Sequence, residues 1–144
     1  MTRYLGIDFG TRRIGVAVSD ELGITAQPLP SLEPSSEQEA LSVIQGLIDQ
    51  YGVLEVVVGL PKNMNGSIGP AAEAAMAFAR RLEEGGTAKV TMWDERLTSR
   101  EAERLLIEAD LSRAKRKRHV DQMAAVLILQ GFLDRYHRQQ ERSS

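Results

Sequence analysis

Two β-prone runs flank a short polar turn between Arg3 and Asp20 (RYLGIDFGTRRIGVAVSD), and this pairing most constrains what the chain can fold into. Tyr4, Leu5 and Ile7 form the first run, while Ile14, Val16 and Val18 alternate with small residues in the second, the period-two signature of a strand. Phe9, Gly10, Thr11 and Arg12 make the tip, where a glycine permits positive φ and leaves room for a phosphate. A hairpin at this point excludes a dinucleotide-binding start, because Gly6, Gly10 and Gly15 are followed by a second strand and not by a helix. One carboxylate, Asp8, lies where the first strand meets the turn. It is either a turn cap or the acid that a central strand end offers to a metal, and this stretch alone does not separate the two.

The rest of the chain supplies alternating strands and helices. Ile24–Leu32 reads as a third strand, with Pro28 and Pro30 confining it to an edge or ending it early. Ser36 and Glu39 form a capping box, and Ala40, Ile44, Leu47, Ile48 and Tyr51 follow at helical spacing until Gly52. Val53–Gly59 (VLEVVVG) reads as a strand, its Val56-Val57-Val58 run apolar on both faces as in a buried parallel strand. The turn-rich loop Leu60–Gly69 leads to Pro70, at the head of a helix with the stripe Ala71, Ala75, Phe78, Ala79 and Leu82, which Gly85-Gly86 ends. Ala88–Trp93 is a further strand, followed at once by Asp94-Glu95-Arg96, and Thr98 with Glu101 caps a helix carrying Ala102, Leu105, Leu106 and Ala109. A basic loop follows, then a last helix from about His119 to Arg138, and a polar tail over 139–144 expected to fray. This order predicts an α/β sandwich with a mixed sheet in one domain over residues 1–138. In open α/β sheets ligands gather at the carboxyl ends of strands, and Asp8, the Gly59 loop and Asp94-Glu95 all fall there.

Composition narrows the chemistry. The absence of cysteine excludes disulfides, thiolate metal sites and a cysteine nucleophile. The only histidines are His119 and His137, and no nucleophile elbow is present, which argues against serine-based hydrolysis. The longest apolar run, Met123–Leu129, is too short to span a bilayer, and no signal segment opens the chain, so a cytoplasmic protein is expected. The net charge of −2 hides an asymmetry: residues 1–95 sum to −6 and residues 96–144 to +4. Arg113, Lys115, Arg116, Lys117 and Arg118 concentrate the positive charge beside His119, either as a solvated surface or as a polyanion site.

Three acids then stand out: Asp8 on the first strand, Glu95 just beyond the last, and Asp121 near the start of the final helix. Singly, Glu95 could be a surface charge and Asp121 a helix-start residue favoured by the dipole. Together, without cysteine or a histidine cluster, they suit Mg²⁺ or Mn²⁺. Two such ions roughly 4 Å apart activate water and stabilise the leaving oxygen in phosphodiester cleavage. Ala124-Ala125 would let the last helix approach the sheet closely enough to bring Asp121 toward Asp8. Asp94 competes with Glu95, since adjacent residues at a strand end point differently; Glu95 is preferred for its longer reach.

DFGTRRIGVA (Asp8–Ala17), GLPKNMNG (Gly59–Gly66), DERLTS (Asp94–Ser99) and KRKRHVDQMAA (Lys115–Ala125) together resemble the YqgF/RuvX family over nearly the whole chain. Its members are bacterial proteins described as Holliday junction resolvases or as nucleases maturing the 5′ end of pre-16S ribosomal RNA. The resemblance implies an RNase H-like fold, with a five-stranded mixed sheet whose second strand is antiparallel, flanked by helices on both faces. It implies that Asp8, Glu95 and Asp121 form the acidic triad of a two-metal Mg²⁺ or Mn²⁺ site. Asn65 stands where an acid is frequent and Lys62 where an apolar residue is usual. The expected function is metal-dependent cleavage in 5′-end processing of pre-16S rRNA, with Arg12, Lys62, Arg96, Lys115, Arg116, Lys117 and Arg118 on the phosphate backbone. The expected partners are structured RNA or branched DNA and ribosomal precursor particles, the chain being a monomer or homodimer. The alternatives are junction resolution and a catalytically silent ribosome-assembly or nucleotide-binding module. An actin or sugar-kinase type of nucleotide clamp needs two lobes, and 144 residues make one.

Overall fold

The computed structural model describes residues 3–10, 12–86, 88–97 and 113–143, with side chains for all of these except 113–122 and 140–143. Strands β1 (Arg3–Phe9), β2 (Ile14–Ser19) and β3 (Ala26–Leu32) are followed by helix α1 (Glu37–Tyr51), β4 (Val53–Leu60), α2 (Pro70–Glu84) and β5 (Lys89–Asp94). A 3₁₀ turn (Glu95–Leu97) and a long helix, α3 (Arg113–Ser143), complete the described elements. The expected helix with Thr98, Glu101, Ala102, Leu105, Leu106 and Ala109 lies outside the described residues.

The strands form one sheet in the order β3-β2-β1-β4-β5. β1, β4 and β5 run parallel, with Ile7 opposite Val58 and Gly59 opposite Trp93, and β2 alone runs against its neighbours. This is the mixed sheet with an antiparallel second strand that the resemblance implied. Among the described residues, the Ser36 half of the capping box and the ends read at Gly52 and Pro70 are present, while the Glu39 carboxylate accepts from Ser35 Oγ instead of reaching back to Ser36. Ser36 accepts a bond from the Glu39 amide at 3.1 Å, Gly52 closes α1 in the left-handed region at φ 64°, and Pro70 opens α2.

Side-chain alternation divides the sheet into two cores. Leu5, Ile7, Val16, Val56 and Val58 pack under Ile44, Phe78 and Leu82 of α1 and α2. Tyr4, Ala17, Val57 and Trp93 pack under Ala125, Ile128, Leu129 and Leu133 of α3. The Val56-Val57-Val58 run is therefore apolar throughout because both faces are covered, each such side chain stabilising the fold by about 1.5–3 kcal/mol. α3 approaches the sheet over Gly6, where a Cβ would lie 2.7 Å from Leu129 Cβ and 3.0 Å from the Ala125 carbonyl. The small residue expected at Ala125 is fully buried, and the sheet supplies its counterpart at Gly6.

Three expectations are corrected. The basic run is helical and not a loop, because α3 begins at Arg113 instead of near His119 and continues past Arg138 to Ser143. Lys and Arg are good helix formers, and extending an existing helix costs far less than starting one. Gly10 does not take positive φ; it is glycine because the Arg13 carbonyl lies 2.6 Å from where its Cβ would stand. β3 starts at Ala26, not Ile24, because the Asp20 carboxylate accepts the amides of Ile24 (2.7 Å) and Thr25 (3.1 Å) and folds that segment into a turn.

Candidate active site

Alternation along β1 puts Leu5 and Ile7 in the α1/α2 core, so Tyr4, Gly6 and Asp8 face α3. Asp8 lies opposite Gly15 of β2, one step beyond the pairing of Ile7 with Val58, which makes Gly59 its neighbour on β4. The chain leaves β5 through Asp94 into the 3₁₀ turn, and Glu95 reaches back across Gly59. A Cβ on Gly59 would lie 2.5 Å from Ile128 Cδ1 and 3.0 Å from Glu95 Cδ, so any side chain there would displace Glu95. Across this gap the carboxyl groups of Glu95 and Asp8 are hydrogen-bonded to one another.

Burial pushes the Glu95 carboxyl up to about 8, and the bond to Asp8, the Asp8 charge and the Asp94 charge push the same way. Two half-buried carboxyls this close cannot both ionise without a counter-charge, so a shared proton holds them together. A hard divalent cation is the other species that can do so, and two oxygen-donor side chains on separate rigid elements fit Mg²⁺ or Mn²⁺.

Asp94 is turned elsewhere. Its carboxylate accepts from Arg96 Nη2 at 2.7 Å, from Arg96 Nε at 3.1 Å and from the Arg96 backbone amide at 3.0 Å. The Arg96 guanidinium holds the Asp94 carboxyl below the usual carboxylate range, with the Lys62 charge adding to the effect. The neighbours thus divide the work: Asp94 ties down the turn and Glu95 meets Asp8.

Asp121 lies in α3, four residues before the Ala125 that packs on Gly6, with its side chain outside the described residues. Among the described residues no group of three His, Cys, Asp or Glu side chains is poised for a metal. Arg12 is exposed at the β1–β2 tip; Lys62, in the loop after β4, and Arg96 both lie within electrostatic reach of Asp94. Lys115, Arg116, Lys117 and Arg118 fall in the first turns of α3, just before Asp121, and their side chains are not described.

The loop after β4 is held by its own side chains. Asn65 Oδ1 accepts from the Ser67 amide (3.0 Å) and hydroxyl (2.6 Å), and Asn63 Nδ2 donates to Ser67 Oγ at 2.9 Å. An aspartate at 65 would accept the same bonds, so the amide found here preserves the loop. Sequence reasoning missed Gly59 and Gly6 as spacers and Asp94–Arg96 as a brace. The available signal was a glycine closing an otherwise apolar strand and a Gly-x-Asp alternation on β1, yet neither names the side chain that fills the gap.

The sheet order and the acid pair at its carboxyl edge define the class, an RNase H-like nuclease fold. T. thermophilus RuvC in complex with Holliday junction substrate shares it, with a TM-score of 0.63 over 95% of this chain and 97% of that one at 14% identity. The fowlpox virus Holliday junction resolvase does so with a TM-score of 0.53 over 92% and 99% at 11% identity. The chain belongs to the family described as RuvX: Holliday junction resolvase, whose model matches residues 2–135. Relatives from Bacillus cereus (strain AH187) and Bacillus thuringiensis (strain Al Hakam), each named "Putative pre-16S rRNA nuclease", are 56% identical over 135 and 134 residues, covering 92% of this chain and 98% of their own. The chain is accordingly a nuclease, a hydrolase of phosphodiester bonds with nucleic acid as its substrate class. No helix among the described residues is long and apolar enough to cross a membrane.

Proposed function

We propose that the chain is a divalent-metal-dependent endonuclease of pre-16S rRNA 5′-end processing, with Asp8, Glu95 and Asp121 holding Mg²⁺ or Mn²⁺. One observation carries this reading: Glu95 is laid across the Gly59 gap onto Asp8, in surroundings that push its carboxyl to about 8. When bound, a pair of such ions supplies an activated water and stabilises the leaving oxygen. Asp8 is fixed by the pairing of β1 with β2, and Glu95 by the turn that Arg96 and Asp94 brace. Arg12, Lys62, Arg96 and the Lys115–Arg118 segment hold the phosphate backbone, which gives affinity without reading sequence.

The substrate follows from the names of the 56% identical relatives and from the number of sites a reaction needs. Cutting one strand of a precursor requires one acid cluster, whereas symmetric resolution of a four-way junction requires two. The protein then acts in the cytoplasm on ribosomal precursor particles, with residues 1–138 as the nuclease domain. Junction resolution, favoured by the family's description, is the second reading. The test is cleavage of a pre-16S 5′ leader beside a synthetic four-way DNA junction, each with Mg²⁺ or Mn²⁺. Wild-type protein is expected to cut the leader, and Asp8→Asn to lose more than the roughly 10- to 100-fold typical of residues that only support metal ligands. Symmetric nicking of the junction with an intact leader reverses the order of the two readings, and an Asp8→Asn variant as active as wild type removes the site.

A further inference from the structure

Met64 lies in the loop that follows β4 at the carboxyl edge of the sheet, with 82% of its surface exposed. Single exposed apolar residues are ordinary; the setting of this one is not. It occupies the tip of a rigid turn, in which the Gly66 amide donates to the Asn63 carbonyl at 2.8 Å and the Asn63 amide donates to the Ser67 carbonyl at 3.0 Å. Gly66 takes φ 87°, a left-handed conformation that favours glycine. The turn is joined to the site on two sides: the Lys62 charge acts on Asp94, and a Cβ on Gly66 would lie 3.3 Å from Arg96 Nη1. A flexible, polarizable thioether is thus presented from a hydrogen-bonded turn that follows Lys62 and meets Arg96 at Gly66. Leu97, 56% exposed, follows Arg96 in the chain.

We infer that Met64 is a substrate-selecting residue, packing on the face of an unpaired nucleobase next to the scissile phosphate while Lys62 and Arg96 hold the adjoining phosphates. Thioethers make favourable contacts with aromatic rings, and apolar side chains, methionine among them, pack against base faces where they unstack a step. Every base offers such a face, so the contact is sequence-tolerant. In a duplex both faces are covered by neighbouring bases. Met64 therefore biases the site toward single-stranded or frayed segments. The inference rests on the nuclease reading above for the identity of the scissile phosphate.

The test keeps the two apart by measuring binding in an uncleaving background. Asp8→Asn is compared with Asp8→Asn/Met64→Ala and Asp8→Asn/Met64→Leu on a single-stranded RNA carrying a fluorescent purine analogue at successive positions, and on the matching duplex. Met64→Ala is expected to raise Kd for the single strand about two- to tenfold, the range of a lost thioether–ring contact. It should also change the fluorescence at one position and leave the duplex Kd and the melting temperature unaltered, with Met64→Leu recovering most of the loss. In the cleaving background the same change should appear in KM and not in kcat. An unchanged single-strand Kd, or an equal loss on duplex and single strand, overturns the inference. A Met64 effect on binding in a protein that cleaves no RNA would instead overturn the RNA-processing reading and leave the contact standing.

Discussion

Gly59 governs the acid pair although it carries no chemistry of its own. Gly59→Ala places a methyl 2.5 Å from Ile128 Cδ1 and 3.0 Å from Glu95 Cδ, so the Glu95 side chain that lies across Gly59 has to shift. The expected cost is about 1–3 kcal/mol of stability from overpacking, together with weakened Mn²⁺ binding, measured by urea denaturation and by metal titration of the same protein. Weakened folding with unchanged Mn²⁺ affinity would show that Glu95 is not a ligand. The same carboxyl sets a pH dependence. Its folded-state value of about 8 lies above the ordinary 4.5, so the native state holds a proton that the unfolded chain has released. That contribution is fully present below pH 4.5 and is lost as pH rises toward 8, so the metal-free protein becomes less stable across this window. Melting curves in chelator at a series of pH values should show the fall, Glu95→Gln should flatten it, and added Mn²⁺ should oppose it at the alkaline end. At this scale the sequence disclosed which residue types matter and not which of two neighbours turns inward. Asp94 and Glu95 are separated only by the brace to Arg96, a contact within three residues whose geometry depends on how β5 ends.

Elements with their own punctuation were legible: the Ser36 cap and Gly52 bound α1, and the Val56–Val58 run is apolar because it is covered on both faces. Contacts between elements distant in sequence were not. α3 is docked on the β2–β3 connection by Gln130, whose Oε1 accepts the Ala26 amide at 2.9 Å and whose Nε2 donates to the Ile24 carbonyl at 2.9 Å. His137 meets the Gly23 carbonyl at 2.9 Å one helical stretch further on. No periodicity rule connects Gln130 with residue 26. Gln130→Ala leaves a partly buried amide and a carbonyl without partners, an expected loss of about 1–3 kcal/mol. Chemical denaturation should report the loss, and faster hydrogen exchange at Ala26 should localise it. A stability change without faster exchange there would assign the cost to helix packing instead. The start of α3 was illegible for a different reason: Arg113–Arg118 has no apolar residue but Ala114 to mark a buried face, so helical and irregular readings look alike until the downstream helix propagates into it.

Across the whole molecule, charge is unevenly distributed, summing to −6 over residues 1–95 and +4 over residues 96–144. The acid pair lies at the carboxyl edge of the parallel strands, and the chain's strongest cationic run immediately precedes Asp121 at the head of the helix that crosses that sheet. A net charge of −2 would by itself repel a polyanion, so affinity has to come from local neutralisation of phosphates and must depend on salt. On single-stranded RNA each neutralised phosphate contributes about 0.7 to the slope of log K against log salt concentration, so replacing Lys115, Arg116 and Lys117 with glutamine should reduce its magnitude by about 2. The same replacement should weaken binding to leader and junction alike, because backbone contacts carry no sequence information. Arg12→Gln, at the β1–β2 tip, should lower the slope by a single contact. Binding isotherms at four or five salt concentrations are sufficient to read these changes. An unchanged slope in the triple variant would remove the head of α3 from the path of the nucleic acid and leave Arg12, Lys62 and Arg96 to account for binding.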